Sequence, residues 1–219
     1  MIVIVLRAIW GLLLPGRFKN AIGRALGYSI DPSARIGPVV LLRVGTLVLD
    51  RDSSIGPFNV LRDLEAIELG SGALIGQWNW ISAAREFAGS SAAAASLRVG
   101  QEAALTSRHY IDCSGGVTVE RFATVAGART TIITHGIDVA TSRQRAASVT
   151  IGEFSIVGSN SKLVPGSVVP RFSMVAMGSV VAKGLDAEHT LYAGTPARSV
   201  RPIDSSSLYF HRQRGAVSV

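Results

Sequence analysis

Two of the four histidines stand where a side chain could do chemistry. His135 sits in Thr134-His135-Gly136-Ile137-Asp138, at the point where a regular repeat gives way to an irregular stretch. An imidazole there is open to a substrate yet held by a scaffold, which is what a general base near neutral pH needs. Such a base takes a proton from a weak nucleophile and needs a carboxylate or carbonyl to orient it. Asp138 and Asp112 are both candidates, and spacing does not choose between them. His109 is the second candidate catalytic residue. It stands four residues after Leu105, where other repeats put Ser or Ala, so a bulky ring occupies an inward position that normally excludes one. Arg129 breaks the same rule after Val125. Departures of this kind gather at functional sites, although a hydrogen-bonded core histidine and an outward arginine on a deformed corner fit as well.

The elements that position these residues are set by repetition. Ile151, Val157, Leu163, Val169, Val175 and Val181 recur at intervals of six. Small residues, Ser155, Ser161, Ser167, Ser173 and Ser179, follow four places on, and Gly152, Gly158 and Ala176 directly follow three of the aliphatics. A helix repeats near 3.6 and a strand at 2, so neither explains the spacing. A solenoid does: each six-residue unit makes one flat side, sides close into a coil, and coils stack at roughly 4.8 Å. The aliphatic fills a narrow interior and the small residue turns inward beside it. The same register runs through Ile30 and Ile36, then Leu49, Ile55 and Leu61, then Leu69, Ile75 and Ile81, then Val99, Leu105 and Ile111, and on to Val119, Val125 and Thr131. Val39 to Val48 reads as irregular. We therefore expect an N-terminal helical segment over 1–29 and a β-helix domain over 30–183. It is interrupted by loops at about 84–96 and 134–148, and a tail over 184–219 follows, with a short helix near 205–213 capping the open end.

Composition narrows the partners. The chain has 219 residues, 47% of them hydrophobic, and a net charge of +7. The positive side is almost all Arg, with Lys19, Lys162 and Lys183 as the lysines and no basic block. A diffuse positive surface suits a phosphate-bearing small molecule or an anionic membrane, and no nucleic-acid module accompanies it. Cys113 is the only cysteine, which excludes an intrachain disulfide and suits a reducing cytoplasm. Its bland reading is a small buried thiol. The apolar stretch from Met1 to Leu14 contains Arg7 and stops at Pro15, short of the roughly 20 residues a membrane span needs. It reads either as a helix packed on the solenoid or a neighbouring subunit, or as one lying on the inner face of the membrane with Trp10, Arg17 and Lys19 near the interface.

The stretch from Ile132 to Arg201, with TIITHGID, then IGEFSIVGSNSKLVPGSVVPRFSMVAMGSVVAKGL, then YAGTPARSVRPI, resembles the hexapeptide-repeat sugar O-acetyltransferases of the maltose, galactoside and polysaccharide type. The first half of the chain resembles them only at the level of repeats. The resemblance implies an all-β fold, a left-handed parallel β-helix with short terminal helices, whose handedness departs from the usual right-handed crossover. It implies acetyl-CoA as co-substrate without a metal, a homotrimer with the acyl channel between adjacent solenoids, and His135 as the base for direct transfer to a hydroxyl. The family's CoA-contacting positions fall on Gly158, Ser159, Ala176, Lys183 and Arg198. Backbone amides near Gly158 or Ala176 would stabilise the thioester oxyanion, and Lys183 and Arg198 would hold CoA phosphates. Thr195 stands where the family often has Asn. Arg143, Gln144, Trp78 and Trp80 are not general family features; they are candidates for shaping an acceptor pocket, against the plainer reading of solvated charge and packing. The expected acceptor is a sugar or cell-surface polysaccharide precursor. Three alternatives stay open: an N-acyltransferase of an amino sugar, a non-catalytic trimeric scaffold, and a γ-type carbonic anhydrase, for which the chain lacks a suitably spaced third histidine.

Overall fold

The computed structural model describes residues 2–182 and 184–217. From Ser29 onward the backbone winds into a parallel β-helix with three faces. Leu49, Leu69, Val99, Val119, Ile151 and Val169 stack in register along the first face. Ile36, Ile55, Ile75, Leu105, Val125, Val157 and Val175 stack along the second. Leu41, Leu61, Ile81, Ile111, Ile132, Leu163 and Val181 stack along the third. Every one of these side chains is buried. Each contributes about 1.5–3 kcal/mol of apolar burial, so the repeat itself is the core.

The corners differ in ways the spacing alone does not announce. Between the second and third faces, Asn59, Asn79, His109, Thr130, Ser161 and Ser179 form a buried polar row. Between the third and first faces, Leu47, Ile67, Leu97, Val117 and Val149 point inward where a small residue was expected, so the cross-section is wider there. The stretch from Val39 to Val48 is not irregular. Val40–Leu49 is a continuous strand paired with Val60–Leu69, and together they carry the sheet around this wider corner. The register also slips once. Ile132, not Thr131, is the buried residue; it follows Val125 by seven places because Gly127, Ala128 and Arg129 lengthen the corner. Thr130 therefore turns inward, and Arg129 is exposed at φ 63°.

Both interruptions leave the solenoid at the third-to-first corner. The earlier one follows Ile81 and holds a short 3₁₀ turn, Arg85–Phe87, before returning at Ser96–Val99. The later one follows Ile132 and is a β-hairpin, His135–Asp138 paired with Arg143–Ala146. One coil lies between them and passes the same corner tightly through Cys113, Ser114, Gly115 and Gly116. Glycine is required there by close approach: a Cβ on Gly115 would lie 2.7 Å from the backbone of Ala147, and Gly116 at φ 92° presses on Ala93.

At the start of the chain, α1 (Ile2–Gly11) and α2 (Arg17–Ala25) pack on the first coil through Trp10, Gly11, Lys19, Asn20 and Gly23. At the other end, a hairpin of Thr190–Gly194 and Ala197–Pro202 extends the second face through Met174 and Val175. The final segment does not cap the open end as expected. Its short 3₁₀ turn, Leu208–His211, lies along the first-to-second corner against a row of stacked rings, Phe122, Phe154 and Phe172. Farther on, Gly215 donates its N–H to Glu102 Oε2 at 2.7 Å.

Candidate active site

The centre of the site is a buried carboxylate. Asp112 follows Ile111 on the third face, one coil below Thr134 and His135, so stacking brings together residues distant in sequence. Asp112 Oδ1 accepts the N–H of Ser114 at 3.2 Å and its hydroxyl at 2.5 Å. Oδ2 accepts the N–H of Thr134 at 2.8 Å, its hydroxyl at 2.7 Å, and Nδ1–H of His135 at 2.8 Å. Thr134 Oγ1 in turn accepts the N–H of Gly115 at 2.8 Å, which ties the tight corner into the network. Burial works to raise the Asp112 pKa, but the bonds from Ser114, His135 and Thr134 outweigh it and hold the carboxyl below its ordinary value.

An ionised carboxylate only accepts, so Nδ1 of His135 carries the proton and Nε2 keeps its lone pair. Among the described residues Nε2 has no hydrogen-bond partner. The His135 side chain is 33% exposed while that of Asp112 is 6% exposed, so the ring meets solvent and its support does not. Beside it lies a cleft of about 420 Å³, walled by Phe87, Ser90 and Ala93 of the earlier excursion, Gly115 of the coil between, and Gln144 and Arg145 of the hairpin. Phe87 also packs on His135, with ring centroids 5.7 Å apart. A base with an oriented tautomer next to such a cleft is suited to deprotonating a hydroxyl or amine bound there.

The other candidate residues fall elsewhere. Asp138 accepts the N–H groups of Ala140 and Thr141 and pairs with Arg145 at 2.7 Å, so it closes the hairpin and does not orient the imidazole. His109 lies in the buried polar row. The N–H of Thr130 donates to its Nδ1 at 3.1 Å, which leaves Nε2–H to donate to Thr106 Oγ1 at 3.0 Å. Burial lowers its pKa to about 4, against a smaller opposing effect of the Val125 carbonyl. Both nitrogens are engaged and the ring is 2% exposed, so it offers nothing to a substrate. Gln144 lines the cleft, whereas Arg143 is exposed on the outer strand of the hairpin. Trp78 stacks on Phe58 at 4.5 Å on the second-to-third corner. Trp80 lies outward on the third face, its indole N–H donating to Ser82 Oγ at 3.2 Å, and Ser82 pairs with Asp112. Neither tryptophan lines the cleft.

Gly158, Ser159 and Ala176 share the second-to-third corner, across the third face from His135. The amides expected to hold an oxyanion are committed to the solenoid: Gly158 N–H donates to Val175 O and Ala176 N–H to Tyr192 O, both at 2.8 Å. A Cβ on Gly158 would lie 2.7 Å from Met177 N, so close stacking of the coils already requires glycine there. Ser159 Oγ accepts the N–H of Ala128 at 3.3 Å. Arg198 is exposed on the terminal hairpin, and Lys183 lies outside the described residues. Sequence reading missed the parts played by Phe87, Ser114 and Thr134. Among the described residues, no group of three or more His, Cys, Asp or Glu side chains is gathered to hold a metal.

No protein-family model matches the sequence, and no curated protein matches it. Solved structures do. A galactoside acetyltransferase in complex with coenzyme A aligns with a TM-score of 0.53 and 19% identity over 68% of this chain and 72% of that one. The fold is the left-handed parallel β-helix of the hexapeptide-repeat transferases. A variant of the N-acyltransferase AntD from Bacillus cereus, in complex with dTDP-4-amino-4,6-dideoxyglucose and coenzyme A, aligns over 90% of this β-helix chain and 95% of its own, at 18% identity and a TM-score of 0.53. This hexapeptide-repeat chain spans 64% of the length of a hexapeptide-repeat acetyltransferase from Vibrio cholerae, with 22% identity over 50% of the present sequence and a TM-score of 0.47.

Proposed function

We propose that this chain is an acyl-CoA-dependent O-acyltransferase that moves an acetyl group from acetyl-CoA to a hydroxyl of a sugar or cell-surface polysaccharide precursor. The observation that carries this reading is the Asp112–His135 pair at 2.8 Å, which fixes the proton on Nδ1 and leaves Nε2 without a partner among the described residues, on a part-exposed ring next to Phe87 and Ala146 of the cleft wall. His135 Nε2 removes the proton of the acceptor hydroxyl as its oxygen attacks the thioester carbonyl. The new C–O bond forms, the C–S bond breaks, and the imidazolium returns the proton to the departing CoA sulfur. A positioned base of this kind contributes roughly 10²- to 10⁴-fold. Ser90, Gln144 and Arg145 supply the polar groups that an acceptor rich in hydroxyls would meet.

CoA is assigned to the second-to-third corner around Gly158, Ser159 and Ala176, with Arg198 for its phosphates. The two corners are separated by a whole face of one coil, roughly 20 Å of strand. That separation favours a homotrimer in which an adjacent solenoid brings its CoA corner to His135. The test is release of CoA thiol across a panel of sugars, nucleotide sugars, amino sugars and oligosaccharide repeat units. Turnover with a hydroxyl acceptor, abolished in His135→Ala, supports the reading. Turnover confined to amino sugars replaces it with N-transfer. A protein whose melting temperature ignores CoA at every concentration is a scaffold, since a ligand that binds the folded state must stabilise it.

A further inference from the structure

We propose that the N-terminal helix pair docks this protein onto an anionic lipid surface. The first helix is inverted. On α1, Ile2, Val5, Leu6 and Ile9 fall at i, i+3, i+4 and i+7 and make a stripe that faces outward, with exposures of 75%, 52%, 46% and 56%, and Val3 and Ile4 on the first turn are exposed with it. Leu12, Leu14 and Phe18 continue it onto the turn and α2, where Phe18 is 86% exposed. The residues that a surface helix normally shows to water are instead turned in. Arg7 donates to the carbonyls of Leu26, Val44 and Gly45, and its guanidinium lies 4.3 Å over the Tyr28 ring. Trp10 is buried and donates to Lys19 O.

The inversion is locked. Lys19 Nζ donates to the carbonyls of Gly11, Leu13 and Gly37, so all three of its protons are used where α1 ends against the first coil. With its cations holding it to the solenoid, α1 cannot roll its aliphatic side inward. An exposed apolar stripe of this size on a rigid support marks a surface that another phase or molecule covers.

Charge decides which. The first 30 residues carry Arg7, Arg17, Lys19 and Arg24 and no acidic residue. Arg7 and Lys19 are buried or half-buried and engaged within the fold, while Arg17 and Arg24 are exposed beside Phe18 and Ile22, Arg24 with one N–H on the Ile30 carbonyl at 3.0 Å. A second copy seated on this stripe would bring the same two cations and no carboxylate from the helix pair; Asp31 and Asp50 lie beside Arg24 at the edge of the first coil and leave Arg17 next to Phe18 as the cation on the stripe's own margin. An anionic bilayer supplies acyl chains for the stripe and phosphates for the arginines beside it. Neither described helix is long and apolar enough to cross a membrane; α1 has 10 residues, about 15 Å, half the hydrocarbon thickness. The pair therefore lies in the interface.

The test uses the purified 219-residue chain floated with phosphatidylcholine vesicles, with and without phosphatidylglycerol, in the absence of CoA and acceptor, so that it stands apart from the acyltransferase assay. The wild type should float with the anionic vesicles. Leu6→Glu with Ile9→Glu should weaken binding about a hundredfold. Arg17→Gln with Arg24→Gln should weaken it about thirtyfold and remove the preference for phosphatidylglycerol. These sites are exposed, and circular dichroism and the melting temperature confirm that each variant folds. Wild-type protein that fails to float with either vesicle overturns the proposal. So does a Leu6→Glu, Ile9→Glu variant that floats as well as the wild type, or one whose only change is a smaller oligomer, which would make the stripe a contact between copies.

Discussion

His109 and His135 sit one coil apart on the same scaffold and could hardly differ more in what they are free to do. His109 stands two residues before the aliphatic Ile111, inside the coil, where Thr106 and Thr130 take up both ring nitrogens and burial keeps it neutral. His135 stands three residues after Ile132, just where the chain departs, so one nitrogen meets a carboxylate and the other, on a part-exposed ring, is left without a partner among the described residues. Residue type is the same in both. Availability is decided by whether the backbone stays in the coil or leaves it, and by whether a carboxylate with its own full set of donors waits in the coil below.

The contrast breaks most sharply at His135. Replacement by Ala should lower turnover about 10²- to 10⁴-fold while CoA still raises the melting temperature as in the wild type. Retained turnover in a CoA-release assay would erase the distinction between the two rings. Asp112→Asn comes next. The amide cannot accept every bond now aimed at the carboxylate, so turnover should fall roughly 10²-fold and stability by about 1–3 kcal/mol in urea unfolding. The Asp112 carboxyl sits below its ordinary value, so the stability it contributes is whole above the unfolded value of 3.8 and is lost as pH falls through the lower folded one.

His109 should answer in a different pH window and in a different quantity. Its folded pKa of about 4 lies below the ordinary 6.5, so between those values the unfolded chain binds a proton that the folded one refuses. Stability should be complete above pH 6.5 and fall by about 3 kcal/mol on the way to pH 4. His109→Asn, matching Asn59 and Asn79 in the same row, should flatten that slope and leave turnover at neutral pH within a few-fold. A larger loss of turnover would move catalysis to His109. The smallest effect belongs to Arg143→Ala: stability within about 0.5 kcal/mol and an acceptor KM within about twofold of the wild type, since the side chain is exposed and outside the cleft lining.

The solenoid was legible because each side of a coil demands one aliphatic, and Ile151 to Val181 supply them without a gap. The slip at Ile132 was not, because Gly127, Ala128 and Arg129 add a residue at a corner, where an extra residue costs little and leaves no hydrophobic trace. His135 could be singled out from where the pattern stops. The choice of Asp112 over Asp138 could not be made, since it depends on which residues stack one coil apart, and the loop length between coils hides that. Phe87 left a usable signal that went unread: both excursions follow a third-face aliphatic, Ile81 and Ile132, and must therefore flank one corner. Phe122, Phe154 and Phe172 likewise each stand three places after a first-face aliphatic, a period that foretells a row of rings and a tail laid on it.

That tail alters how the stack can come apart. Units in a repeat array touch only their neighbours, so an end coil ordinarily frays by itself. Here Phe210 rests on Phe172 and Arg212 lies over the Tyr209 ring at 3.8 Å, while Gly215 is fastened to Glu102 well back along the spine. The thread runs like a lace through several eyelets, and undoing the last one slackens the middle. A chain ending at Ile203 should show faster amide hydrogen exchange at Tyr110 and Ile111 as well as at Met174, so that the setting of the Asp112 carboxylate is underwritten by residues at the far terminus.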